Sequence, residues 1–300
     1  MCFFMDSLRL LQLVPYWSDS GVLRAALVRP ILAASIVIVI AARHAAGSDP
    51  AAAPIATDRP AVTDSSVVVP PGSLQAGNGF AESVNQGQST FDAPGTLLRF
   101  GMASKTELRL TAPDYFRQVG IGSGFGDLVV GIKQQLGPTP GGFDVSLVLS
   151  LSLPTGASVI SSHGYDPFVQ LPWSRAFSSN WTAAGMLSVY WPTEQGHRNV
   201  TGETTFLMDR RLTKTWDAFV EYAGDFPEQG GPRHLVHFGT AYKPTSHQQL
   251  DLHWVGPVFG RGGSLRRCQL LLSLASGPAV AVDGSDETID RGRSAWNLGP

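Results

Sequence analysis

The residues best able to bind a metal or move a proton near neutral pH are seven histidines: His44, His163, His197, His234, His237, His247 and His253. Only His234 and His237 stand close together. Three residues apart on a strand, they point to opposite faces and do not share an ion. The run Gly122-Ser123-Gly124-Phe125-Gly126 is glycine-rich. It lacks the Lys-Ser/Thr pair of a phosphate loop, opens no helix, and reads as a loop entering a strand. Serines, histidines and aspartates occur throughout, but no Gly-x-Ser-x-Gly elbow marks a nucleophile. No Ser–His pair falls on one face, as a barrel-embedded lipase would need. Cys2 and Cys268 are the only cysteines, which excludes a disulfide scaffold and a cysteine-based metal site. We therefore expect no catalytic residue, no cofactor and no metal, and a protein that is not an enzyme.

A second set of polar residues is spaced for a different task. Arg99, Arg109, Asp127, Lys133, Glu203, Asp209, Asp217, Glu221 and Asp251 each alternate with apolar neighbours. Side chains one residue apart on a strand lie on opposite faces. This parity puts the nine charges on one surface and the Leu, Phe and Val residues on the other. In a membrane barrel the charged surface is the lumen, where opposite signs on neighbouring strands satisfy one another and narrow the pore. Arg99 and Arg109 flank the turn at Ser104. They are the first candidates for a selectivity role, and plain structural ion pairing is the competing reading.

The elements that must position these charges show the same period. In Val145, Leu147, Leu149, Leu151 and Leu153 every odd position is apolar, with Ser146, Ser150 and Ser152 between them. Alternation recurs at residues 98–102, 107–110, 127–133, 203–209, 216–222, 234–242 and 249–254. Short polar connections at 103–106, 177–180, 212–215 and 244–247 recur about every 35 residues, room for two tilted spans and a loop. Between them lie long Pro- and Gly-containing connections at 113–126, 154–167, 192–202 and 226–232. Aromatics suited to interfacial girdles sit near strand ends, among them Trp173, Trp181, Trp216, Tyr242 and Trp254. The expected fold is all-β: an antiparallel up-and-down transmembrane β-barrel. About eleven strand candidates precede residue 255; because bacterial barrels have even strand numbers, about 12 strands are expected. The sequence leaves closure at the C-terminus open.

Composition fits this architecture. Charged residues make up 15% of the 300-residue chain, where about a quarter is usual for soluble domains. Mean hydropathy is nevertheless near zero, at +0.03, so long apolar helices do not replace the missing charge. A net charge of −2 gives no reason to expect nucleic acid as a partner. A secreted soluble β-sandwich would share the alternation.

The ends differ from the body. Arg24 and Arg29 precede an apolar run at 31–42 and small residues from Ala45 onward, the layout of a secretory signal. Residues 1–47 are read as this targeting segment, with a natural start near Val22 as an alternative. Residues 48–73, rich in Pro, Ala, Asp and Ser, form a periplasmic lead-in to a barrel at 74–255. Proline at this density forbids a central strand. The lead-in is expected either to remain solvated or to tuck into the lumen, where Asp58 and Arg59 could meet lumen charges. Alternation stops after Trp254, and residues 256–300 read as an atypical tail, as if frameshifted.

With the pattern laid out, the sequence resembles the outer-membrane transporter family named after the MetA pathway of phenol degradation. The resemblance runs from about Ile55 to His253. It rests on Thr57-Asp58-Arg59-Pro60, Val69-Pro70-Pro71-Gly72-Ser73-Leu74-Gln75, Thr96-Leu97-Leu98-Arg99-Phe100-Gly101, Ser123-Gly124-Phe125-Gly126-Asp127, Leu151-Ser152-Leu153-Pro154-Thr155-Gly156 and Phe219-Val220-Glu221-Tyr222. It implies an exported barrel in the cell outer membrane that passes small molecules, with no catalytic residue. Expected partners are outer-membrane lipid, an unidentified small solute, and the export and barrel-insertion machinery. A structural or adhesive barrel without transport is the alternative.

Overall fold

The computed structural model describes residues 55–58, 61–85, 88–120, 122–194, 196–257 and 266–276. The targeting segment expected at 1–47 lies outside the described residues, as do Arg59 and, from the tail, residues 258–265 and 277–300. Among the described residues every regular element is a strand. The first six are β1 (Leu74–Asn85), β2 (Gln88–Ala93), β3 (Leu97–Ala103), β4 (Thr106–Thr111), β5 (Tyr115–Gln118) and β6 (Gly122–Phe125). There follow β7 (Leu128–Gln135), β8 (Asp144–Leu153), β9 (Asp166–Ala176), β10 (Trp181–Tyr190), β11 (Thr193–Glu194) and β12 (His197–Arg198). The last are β13 (Thr201–Arg211), β14 (Trp216–Pro227), β15 (Arg233–Thr245), β16 (Gln248–Pro257) and β17 (Arg266–Ser276).

Twelve of these strands make one antiparallel ring in the order β17-β16-β15-β14-β13-β10-β9-β8-β7-β4-β3-β1. β17 pairs with β16 on one side and β1 on the other, so the ladder returns to its first strand. The expected end of the strand pattern after Trp254 is corrected here: β16 continues to Pro257, and Arg266–Ser276 supplies the twelfth strand. Leu74↔Ser276 and Val84↔Arg266 mark the two ends of the closing register. In the membrane each backbone amide left unpaired at a sheet edge costs several kcal/mol. Two flanking edges can therefore recruit a segment whose own alternation is poor.

The β2, β5 and β6 strands extend the wall beyond the ring. The later half of β1 pairs with β2, β2 with β5, and β5 with β6. β2 leads into β3 across Pro94, and β4 into β5 across Pro113. Proline has no N–H for a ladder, so both strands break there. Asp114 spans the break: its side chain accepts from Gly95 N at 2.6 Å and its carbonyl from Gly126 N at 2.7 Å. The segment 113–126, expected as a long loop, is thus largely a hairpin, and Gly122–Phe125 is a strand rather than a loop. Pairing with β5 supplies what glycine's weak strand preference lacks.

Short turns join β3 to β4, β9 to β10, β13 to β14 and β15 to β16 at one rim, and the long connections gather at the other. Side chains segregate by parity. Phe100, Ile132, Leu149, Leu187, Val220 and Phe238 are 40–56% exposed on the outer face. Their neighbours Arg99, Lys133 and Glu221 are at most 1% exposed. So much exposed hydrocarbon with buried charge inverts the pattern of a water-soluble protein and matches a lipid-facing wall. Outer aromatic pairs, Trp216 with Tyr242 and Phe238 with Trp254, have ring centroids 4.8 and 5.9 Å apart.

Candidate functional site

The interior of the ring is occupied by the chain's own lead-in. Its first described residue lies beside the short-turn rim, where Ile55 N donates to the carbonyl of Ser246 at 2.9 Å. It leaves at the same rim through Pro70-Pro71-Gly72-Ser73, closed by Ser73 N donating to the Pro70 carbonyl at 3.0 Å. Gly72 has φ 73°, the positive value a Pro-Gly turn needs at that position. The turn lies against β3, with Gly72 N donating to the Gly101 carbonyl at 2.8 Å. A Cβ on Gly101 would collide with the carbonyls of Val69 and Pro70, so only glycine lets the strand approach this closely.

Between these ends the lead-in bonds to walls on several sides of the ring. Val62 N and Thr63 N donate to the two carboxylate oxygens of Glu221 on β14, at 2.8 and 2.7 Å. The Thr63 hydroxyl donates to Glu221 at 2.6 Å and lies 2.5 Å from that of Thr205 on β13. Ser66 meets Ser174 of β9 through its hydroxyl, and its carbonyl accepts from Ser146 of β8. Val69 N donates to Glu107 of β4 at 2.8 Å, and Gln249 of β16 donates to the Thr57 hydroxyl at 2.8 Å. A segment in contact with β4, β8, β9, β13, β14 and β16 at once must run through the lumen.

The densest contact is ionic. Arg99, Arg109 and Lys133 project from β3, β4 and β7 toward one carboxylate, that of Asp58. Arg99 Nε lies 3.3 Å from Asp58 Oδ2, Arg109 donates to the same oxygen, and Lys133 Nζ donates to Oδ1 at 3.2 Å. Arg99 also grips Glu107 with two bonds of 2.9 Å and donates to the carbonyls of Ala56 and Val67 at 2.8 and 2.9 Å. Arg109 reaches Asp64 at 2.9 Å. Arg99 and Arg109 are direct cross-strand partners. Like charges so placed repel, so anions between them are a requirement of the fold. Burial alone would raise the Asp58 carboxyl; Arg109, Arg99 and Lys133 outweigh it and hold the group well below the usual carboxylate range. For Asp64 burial dominates and its carboxyl is pushed up, with Arg109 opposing.

The other expected lumen residues are distributed around the ring. Glu203 accepts from Ser188 at 3.1 Å and from Tyr190 at 3.0 Å on β10. Asp217 pairs with Lys243 of β15. Asp251 accepts from Gln249 at 2.8 Å. Asp209 shares the inward parity of Thr205 and Leu207 on β13, both buried. Asp127 is not brought to this group. It lies between β6 and β7 and accepts from Gly156 N and Ser162 N, at 2.8 and 3.2 Å, which ties down the long connection after β8. His234 and His237 take the opposite faces that their spacing requires. His234 meets the Tyr222 hydroxyl at 2.7 Å, whereas His237 lies 3.3 Å from His253. Among the described residues no group of three or more His, Cys, Asp or Glu could hold a metal ion.

Glu107 is absent from the nine expected residues although it shares the parity of Arg109. That parity is the signal that could have found it; Asp58, by contrast, is where the tucked-in alternative for the lead-in puts it, against lumen charges.

Comparisons with known proteins agree with this architecture. Among solved structures, an outer membrane channel from Pseudomonas putida F1 matches with a TM-score of 0.51 and 11% identity, over 70% of this chain and 97% of that one. The NanC porin matches at 0.49 and 9%, over 67% and 98%. The KdgM porin matches at 0.46 and 11%, over 68% and 99%. At 11% identity the first likeness speaks for the fold alone. No curated protein sequence matches the chain. The model of one protein family matches residues 57–258, from the docked lead-in through the end of β16. With most of its length covered, the chain belongs to the family described as "Putative MetA-pathway of phenol degradation".

Proposed function

We propose that this protein is an outer-membrane channel for small molecules and that the described state is its resting, occluded form. One observation carries the reading: a ring with an apolar outer face and a charged inner face is filled by a segment of its own chain that is no strand of the ring. The outer face fits lipid, and the inner face fits water and polar solutes once the segment yields. The two ends of the described lead-in, Ile55 and Ser73, lie at the short-turn rim, which in outer-membrane barrels faces the periplasm. The filling segment is thus fed from the side on which an exported chain arrives. We assign no catalytic role to any residue in the lumen.

The test has two parts. The full chain should sediment with the outer membrane and migrate differently on a gel before and after heating. In liposomes it should then admit small polar solutes faster than protein-free vesicles do once Glu221→Ala has loosened the lead-in. A folded, heat-modifiable barrel whose vesicles are as tight as protein-free ones would instead assign the protein to the structural class.

A further inference from the structure

The wall formed by β3, β4 and β7 carries a binding site for a small carboxylate, and we infer that Asp58 fills it as an internal stand-in for a carboxylate-bearing solute. The inference rests on the channel reading above for its biological sense, but its chemistry stands on separate observations.

Three cations from three successive strands converge on one carboxylate. Arg99 and Arg109 share Asp58 Oδ2, and Lys133 takes Oδ1. Both oxygens are therefore engaged, and Asp58 is 3% exposed. Charge-assisted donors aimed at two oxygens of one group constitute a carboxylate receptor. The wall supplies only one anion of its own to this cluster, Glu107, which Arg99 holds at 2.9 Å. Its formal charge without the lead-in is +3 from the cations and −1 from Glu107, or +2. Asp58 and Asp64 bring that sum to zero.

The anions that complete the balance come from a different part of the chain. Asp58 and Asp64 lie on the lead-in, which is no strand of the ring and is joined to this wall by side-chain hydrogen bonds and a pair of backbone bonds at Gly101. A +2 cluster cannot stay dry and unpaired, because a buried charge without its partner is strongly unfavourable. When the lead-in leaves this wall, its place at the cluster must be taken by lumen water or by another anion. A carboxylate does so with least disturbance, since it reproduces the geometry of Asp58. Chloride offers a single point of contact and cannot span Oδ1 and Oδ2.

Chemical rescue tests this. In the full-length Asp58→Ala variant, purified in detergent micelles, the methyl side chain leaves the three cations facing a gap the size of a carboxylate. The midpoint of heat-modifiability should fall relative to the parent. Sodium formate or acetate should restore at least half of that loss, and sodium chloride at equal ionic strength should not. The parent protein should respond equally to all three salts. Adding Arg109→Ala to Asp58→Ala should abolish the difference between formate and chloride. If Asp58→Ala does not fold in chloride, its refolding yield becomes the readout and should rise several-fold in formate. Equal midpoints, or equal refolding yields, in formate and chloride overturn the inference. No current or flux is measured, so a barrel that proves not to conduct could still show the rescue, and a conducting one could fail it.

Discussion

At the scale of single residues, the lead-in is held by a few groups whose loss has calculable consequences. Glu221 accepts from Val62 N, Thr63 N and the Thr63 hydroxyl. Replacing it by alanine strands the buried Thr63 amide, at a cost of about 1–3 kcal/mol, and leaves the half-buried Val62 amide without this acceptor. Glu221→Ala should lower the denaturation midpoint of the micelle-embedded protein and speed proteolysis of the lead-in, as read by N-terminal sequencing of the fragments. Glu221→Gln, which keeps one acceptor oxygen, should fall between. Gly101→Ala acts from the other side. Its methyl would meet the Val69 and Pro70 carbonyls, which belong to backbone and cannot swing away. We expect the turn at 70–73 to detach while the ring itself stays heat-modifiable. A Gly101→Ala protein whose lead-in is as protease-resistant as the parent's would show that the contact is not needed.

At the scale of elements, some strands were plain in the sequence and others were hidden for physical reasons. β8, with leucine at every second position, declared both its period and its faces. β1 did not: Leu74–Asn85 is built largely from small and polar residues, and its pairing with β3, β2 and β17 defines it. The β5–β6 hairpin was masked by its glycines and by Pro113. β17 was masked because the apolar run at 270–272 breaks alternation. Parity put the charged ladder on one face, and Asp58 was legible as a group that could meet lumen charges, but which of those charges it would meet was not. Arg109 and Asp58 are 51 residues apart, and periodicity within one strand cannot show which non-local group will face it. Asp127 shows the converse, since its parity suited the ladder while its hydrogen bonds serve a loop. Closure of the ring falls to β17. Deleting 266–276 would leave the facing edges of β16 and β1 without partners. We expect that chain to lose heat-modifiability and to appear among aggregates rather than in the outer membrane. Normal insertion of the deleted chain would mean that closure does not depend on β17.

At the scale of the whole molecule, the barrel's outside is set by lipid and its inside by its own lead-in. Thr63 on the lead-in and Thr205 on β13 have hydroxyls 2.5 Å apart, at mid-length of the strand. With Cys2 and Cys268 replaced by serine, the pair Thr63→Cys and Thr205→Cys places two thiols across that contact. The decisive measurement is single-channel current through this variant in a planar bilayer, oxidised first and then reduced in place. We predict that the cross-link forms in the folded barrel, that the oxidised channel stays in its low-conducting state, and that reductant restores openings to higher current. A folded barrel that forms no cross-link, or a cross-linked one whose current is the same before and after reduction, would contradict the claim that the lead-in occupies and closes the lumen.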